Sequence, residues 1–166
     1  MKGKFFIVSA GILFILVITA AWTRADDCRP LAVTKDHKCP ACGMRVAEFT
    51  HWHTQMVYED GTNDAFCAVK CLMAVYLDPG KFKTKKKVKA LYAKDYYSLA
   101  WHDMKAMFYV EGSDITGPMG KDLVPFSDKG QANGFLKDHN GLKIYGFEEI
   151  TPELIQKLRN KKGKGM

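Results

Sequence analysis

The chain is 166 residues long, 47% hydrophobic and 26% charged, with fourteen Gly and six Pro. This globular composition excludes a disordered, collagen-like or polytopic membrane protein, and the length excludes a large multidomain enzyme. The formal charge is +7, but Lys2, Lys4 and Arg24 lie in an apparent leader, so the remainder is only mildly basic and gives no ground for a nucleic-acid partner.

Lys2 and Lys4 precede an almost unbroken apolar run from Phe5 to Trp22, and Thr23-Arg24-Ala25 places small residues where a secretory leader is cleaved. Residues 1–25 therefore read as a signal peptide or, uncleaved, as an N-terminal membrane anchor through residues 5–22. Asp26 and Asp27 before Cys28 do not fit the small-residue sequence that precedes a lipidated cysteine. The rest of the chain is expected outside the cytoplasm, periplasmic or held on the outer face of the cytoplasmic membrane. Thiols oxidise there unless a metal or a redox partner protects them.

Five cysteines thus need an explanation. After Cys28 come Cys39-Pro-Ala-Cys42 and, 24 residues later, Cys67-Ala-Val-Lys-Cys71, a pattern closer to a metal knuckle than to an evenly spread disulfide scaffold. Between the pairs, His51-Trp52-His53 would put two imidazoles on one face of an extended segment, able to bind Cu(II) or zinc, although solvated hairpin histidines fit the same pattern. Thr54 to Glu59 has strand propensity and ends at the turn Asp60-Gly61. Thr62, Asn63 or Asp64 can then cap a helix from about Ala65 to Leu77, stopped by Pro79-Gly80. On it Cys67 and Cys71 are i and i+4, either ligands reaching one ion or small buried residues of an apolar helix. The lysines from Lys81 to Lys89, six in nine positions, read as a solvated loop, or as a patch for an acidic partner or an anionic membrane.

A strand follows from Val88 to Tyr92, and another from Met107 to Val110. Further on, Val124 to Asp128, a helix over Gln131 to Asp138, an Asn140-Gly141 stop and a strand from Leu142 to Phe147 echo the earlier strand, helix, stop and strand. The expected fold class is α+β, two small related strand-helix-strand units (a ββαβ-like repeat) behind the leader. The first unit spans residues 26–92 and the second 93–151, followed by a basic tail over 152–166 whose last residues fray. Gly43-Met44 and Pro118-Met119-Gly120 occupy similar places in the two units and would bring two thioethers toward the middle.

Cys39-Pro-Ala-Cys42-Gly43-Met44, Asp60-Gly61-Thr62 with Phe66-Cys67, Phe108-Tyr109-Val110-Glu111-Gly112-Ser113-Asp114, Gly117-Pro118-Met119-Gly120 and Leu123-Val124-Pro125-Phe126 together resemble the NosL family of nitrous oxide reductase accessory proteins, over about residues 38–151. The resemblance implies an exported Cu(I)-binding chaperone, not an enzyme, with distant fold kinship to organomercurial lyase. Its partners would be a copper-receiving enzyme, by resemblance nitrous oxide reductase, or other maturation proteins. It also implies metal ligands at Cys42 of Cys-Gly-Met, at Met119 and at a histidine in the preceding strand. That strand here has Met107-Phe108-Tyr109, so His102 is the nearest imidazole.

Independently, soft thiolate and thioether donors favour Cu(I), while zinc has little use for methionine. The candidate ligands are Cys42, Met119, Met44, Cys39, Cys67, Cys71 and His102, with Cu(I) as the ion and zinc as the alternative. Cys42 ranks above Cys67 because it lies in the segment that carries the resemblance. Competing readings are dithiol-disulfide exchange at Cys39/Cys42, a lyase-like thiol enzyme and a structural zinc module. No phosphate loop, Ser-His-Asp series or carboxylate pair supports a kinase or a hydrolase.

Overall fold

The computed structural model describes residues 30–160. The leader, Cys28 and residues 161–166 lie outside the described residues.

Two antiparallel sheets carry the fold. The first contains β1 (Thr54–Tyr58), β2 (Asn63–Phe66), β3 (Val88–Lys94) and β4 (Trp101–Asp103) in the order β2-β1-β3-β4, with α1 (Val69–Leu77) between β2 and β3. The second contains β5 (Phe108–Glu111), β6 (Leu123–Phe126) and β7 (Lys143–Gly146) in the order β6-β5-β7, with α2 (Lys129–Asp138) between β6 and β7. Each unit is thus a hairpin, a helix and a return strand beside the hairpin's first strand. The α+β repeat read from the sequence is present.

β1 is buried along its whole length, paired at both edges and packed against α1, so Thr54-Gln-Met-Val-Tyr carries little of the alternation of a half-exposed strand. α1 buries seven of its nine residues, Val69 to Val75, and ends before Pro79-Gly80. Asp60 Oδ1 accepts bonds from the Thr62 N–H and hydroxyl, and Gly61 takes φ +80°, a conformation that favours glycine at this hairpin turn.

The structure departs from the sequence reading at three places. Asn63–Phe66 is strand β2 rather than the first turn of a helix, since pairing with β1 (Thr54↔Phe66, Met56↔Asp64) outweighs the capping propensity of Thr62, Asn63 and Asp64. The helix begins at Val69, and Ala68 at its N-cap has no capping side chain. Asp122 supplies the cap from the other unit, its Oδ1 accepting the Lys70 N–H at 2.9 Å. Next, β3 runs past residue 92 to Lys94 and gains an edge strand, because Tyr92, Ala93 and Lys94 pair with Asp103, His102 and Trp101; the first sheet therefore extends to Asp103.

Finally, residues 152–160 of the basic stretch form helix α3 (Pro152–Asn160), which packs Leu154, Ile155 and Leu158 into the main core and includes Arg159 and Asn160, where fraying was expected. Lys157 Nζ donates to Glu111 Oε1 at 2.9 Å, tying α3 to β5. The local cause is a 3.6-residue apolar pattern on a polar helix, which one short window disguises as basic sequence.

The two units share their core. Tyr109 and Leu123 of the second sheet share a core with Met56, Phe66 and Leu91 of the first, Leu72 of α1 and Met104 just after β4. Asp95, fully buried after β3, accepts the Ser127 N–H and hydroxyl beyond β6, at 2.7 and 3.0 Å, and the Tyr96 N–H donates to the Pro125 carbonyl. A smaller cluster of Trp52, Val110, Val124, Phe126, Ala132 and Phe135 fills the space under α2.

Leu158 is 2% exposed, so Leu158→Ala is expected to destabilise the protein by about 2–5 kcal/mol. A urea midpoint unchanged from wild type would mean that α3 is not part of the cooperative fold.

Candidate metal centre

The first pair of cysteines is held by a tight turn. The Cys42 and Gly43 N–H groups donate to the Cys39 carbonyl at 3.3 and 2.8 Å, and the Cys39 N–H donates to the Met44 carbonyl at 2.8 Å. Gly43 sits at φ +77°, so a glycine here lets the chain fold back without strain. The second pair flanks the start of α1: Cys67 follows β2 directly, and Cys71 lies in the first helical turn, its N–H donating to the Ala68 carbonyl at 3.1 Å. Cys67 is therefore not helical, yet its Sγ still lies 3.7 Å from Cys71 Sγ.

These two local structures meet. The Sγ atoms of Cys39, Cys42, Cys67 and Cys71 all lie within 4.8 Å of one another, with Cys42 to Cys67 at 3.5 Å. All four are free thiols. Cys39, Cys67 and Cys71 are buried and Cys42 is partly exposed, so the cluster opens toward solvent on the Cys42 side. A tetrahedral ion with metal–sulfur bonds of about 2.3 Å needs its sulfurs about 3.8 Å apart, so the donor set and its spacing fit a soft ion such as Cu(I) or zinc.

Such a cluster cannot be fully ionised without a metal. Two thiolates 4.8 Å apart repel by about 3–4 kcal/mol at an effective dielectric of 20, and six such pairs exceed the roughly 5–15 kcal/mol that holds a domain together. The protons are shared out accordingly. S–H donors from Cys67 and Cys71 hold the Cys39 thiol far below the usual thiol range, against the effect of burial. A bond from Cys71 lowers Cys42 to about 7. Cys67 and Cys71 are pushed up, first by their bonds to Cys39 and further by burial. The four sulfurs of the metal-free cluster share their remaining protons, and binding an ion must release protons.

The remaining candidates are two methionines and a histidine. Met44 is half-buried and closes the Cys39 turn through its carbonyl. Met119 is 39% exposed at the tip of the β5–β6 loop, and its carbonyl accepts a bond from Lys70 Nζ, next in the chain to Cys71. His102 is not brought to the cluster. Across the first sheet the register runs Phe66, Thr54, Ala93, His102, so three strand spacings, roughly 14 Å, separate it from the neighbour of Cys67.

The His51/His53 pair also dissolves. Thr50–Trp52 is a 3-10 turn rather than extended chain, His51 is exposed, and His53 is buried with Nε2 2.7 Å from the Val46 carbonyl. Two polar residues beside the cluster, Lys70 and Asp122, were not singled out from the sequence. The available signal was one lysine inside an otherwise apolar helix.

A family model described as NosL matches residues 30–155. The copper-binding lipoprotein NosL of Stutzerimonas stutzeri is 27% identical over 96% of this chain and 89% of its own length. The crystal structure of the copper chaperone NosL from Shewanella denitrificans matches with a TM-score of 0.67 and 28% identity, covering 75% of this chain and 97% of that one.

Nucleophilic attack needs both thiolate and access. Of the four clustered cysteines, Cys42 should therefore be alkylated first in the reduced, metal-free protein, at a rate that climbs as pH rises through about 7. Peptide mass mapping after timed iodoacetamide treatment checks this. Equal labelling of Cys42 and Cys71 would contradict the arrangement.

Proposed function

The chain belongs to the NosL family, and on that footing we propose that it is a copper chaperone, not an enzyme, that carries Cu(I) as cargo in its four-cysteine cluster. The observation that carries this is the convergence of four soft donors within 4.8 Å, three buried and one, Cys42, reachable from solvent. Burial of three sulfurs shields the ion from water, while the open side lets a partner's ligand bind before Cys42 leaves. Transfer of this kind is ligand exchange. A metal–sulfur bond to the receiver forms as the bond to Cys42 breaks, the freed thiolate takes a proton from water, and copper keeps its oxidation state.

Met44 follows Cys42 by two residues, and Met119 sits on the loop whose carbonyl Lys70 grips, so we assign these two thioethers to the entry or exit of the ion rather than to its resting shell. Thioether contact favours Cu(I) over zinc. His102 is left out of this reading because β4 lies on the far edge of the sheet.

The receiving protein is, by family, nitrous oxide reductase or a partner in its maturation. The proposed location is outside the cytoplasm at the membrane. The leader over residues 1–25 supports it, as does the lipoprotein name of the Stutzerimonas relative. No helix among the described residues is long and apolar enough to cross a membrane. A tether through residues 5–22 of the leader would hold the protein there. Nucleic acid has no part in this reading.

A second reading is a structural zinc site, favoured by sulfur spacings of 3.5 and 3.7 Å that already suit a tetrahedral four-thiolate ion. Competition separates the two. Reduced protein loaded with zinc and titrated anaerobically with Cu(I) against a chelator is expected to release its zinc. Retention of zinc at one equivalent of Cu(I) would make the cluster structural.

Because the four sulfurs form one cluster, Cys39→Ser, Cys67→Ser and Cys71→Ser should each weaken Cu(I) binding, by more than the roughly 10–100-fold typical of losing an outer-shell partner. Protons compete for Cys67 and Cys71, whose thiols are pushed up, so affinity should fall as pH is lowered through neutrality. An affinity flat from pH 8 to 6 would be inconsistent with thiolate ligation.

A further inference from the structure

Lys70 is 2% exposed, an unusual place for an ammonium group. It lies in the chain between Cys67 and Cys71, and its ammonium and its backbone N–H both reach the loop that carries Met119. Its Nζ donates to the Met119 carbonyl at 3.0 Å and the Lys121 carbonyl at 2.5 Å and lies 3.8 Å from Asp122 Oδ2, while its backbone N–H donates to Asp122 Oδ1 at 2.9 Å. Asp122 is itself buried, and its Oδ2 accepts no hydrogen bond, so the aspartate is held by Lys70 and by the Leu123 N–H rather than by a closed polar network.

The loop on the other side of this clamp is stiff. Gly117 and Gly120 exchange both backbone hydrogen bonds, at 2.8 and 3.0 Å, Gly120 takes φ +81°, and Lys121 Nζ donates to the Ser113 carbonyl at 2.7 Å. Met119 rides on the tip of that turn.

We infer that Lys70 is a positioning residue that couples the occupancy of the cysteine cluster to the placement of the Met119 turn, so that a receiving protein meets a different surface on the loaded and the empty chaperone. This rests on the cluster holding an ion, as proposed above, but not on which ion. Loading draws Cys67 and Cys71 onto one metal and replaces their protons with a net negative charge. Lys70, fixed to the backbone between them, must follow. Its ammonium grips the turn's carbonyls directly, and the turn, closed at Gly117 and Gly120, moves as a piece.

Zinc is the discriminating probe, because it takes thiolates but has little use for a thioether, so any response of Met119 to zinc is transmitted rather than ligated. The full chain, reduced and labelled with ¹³C at its methionine methyl groups, is titrated with Zn(II), and the Met119 resonance is identified by its loss in Met119→Leu. In the wild type that resonance is expected to shift in step with zinc binding. In Lys70→Met it should stay near its metal-free position although zinc still binds at one equivalent.

Should Lys70→Met fail to fold, Gly120→Ala loosens the turn from its surface end by straining a positive φ, and the same loss of response is expected. A wild-type Met119 signal indifferent to bound zinc, an undiminished shift in the variant that folds, or no zinc binding at all overturns the coupling. Failure of the copper reading shows separately, as zinc retained against Cu(I) while the Met119 shift persists.

Discussion

Four sulfur atoms within 4.8 Å of one another impose conditions that much of the molecule is arranged to meet. Two come from a turn that a glycine at φ +77° allows to close. The other two come from the junction where a strand stops and a helix starts. Neither local structure brings four sulfurs together alone. The knuckle must be laid against the N-terminal end of α1, and burial of Cys39 and Val46 in the same core as Leu72 and Met73 holds it there. Repulsion between ionised thiols keeps the empty cluster largely protonated, so the site is charged by its cargo rather than before it.

That junction explains why the helix begins where it does. Extending α1 back to Ala65 would take Ala65 and Phe66 out of the first sheet and put Cys67 inside a helix. With β2 paired to β1, the chain leaves the sheet at Phe66, presents Cys67 at the break and turns Cys71 toward it from the first turn of α1. The price is a helix start with no local cap, and Asp122 of the second unit supplies one. The two units are thereby joined at the metal centre as well as through their common core.

The repeat gives this arrangement its economy. Both units use the same order, a central first strand with the hairpin partner on one side and the return strand on the other. In the first unit the loop before the helix carries Cys67, and the helix's first turn carries Cys71. In the second the corresponding helix is capped locally by Asp128, whose Oδ1 accepts the Gln131 N–H at 2.8 Å, and the unit contributes instead the loop with Met119, Lys121 and Asp122.

The sequence by itself determined the elements whose signals are local. The Asp60-Gly61 and Asn140-Gly141 turns, the α2 helix, the apolar α1 and the two cysteine pairs were legible because turn chemistry, helix stops and spacing act over a few residues. The family resemblance rested on motifs of the same short range. Tertiary structure alone decided that all four cysteines form one cluster, that His102 stands three strands away, that Asn63–Phe66 pairs as a strand, and that the basic C-terminal stretch is a helix docked on the core. Each of these depends on partners distant in the chain. Strand pairing and a cap borrowed across 52 residues are set by what the rest of the fold presents; the apolar face of α3 is local, but the core it docks on is not.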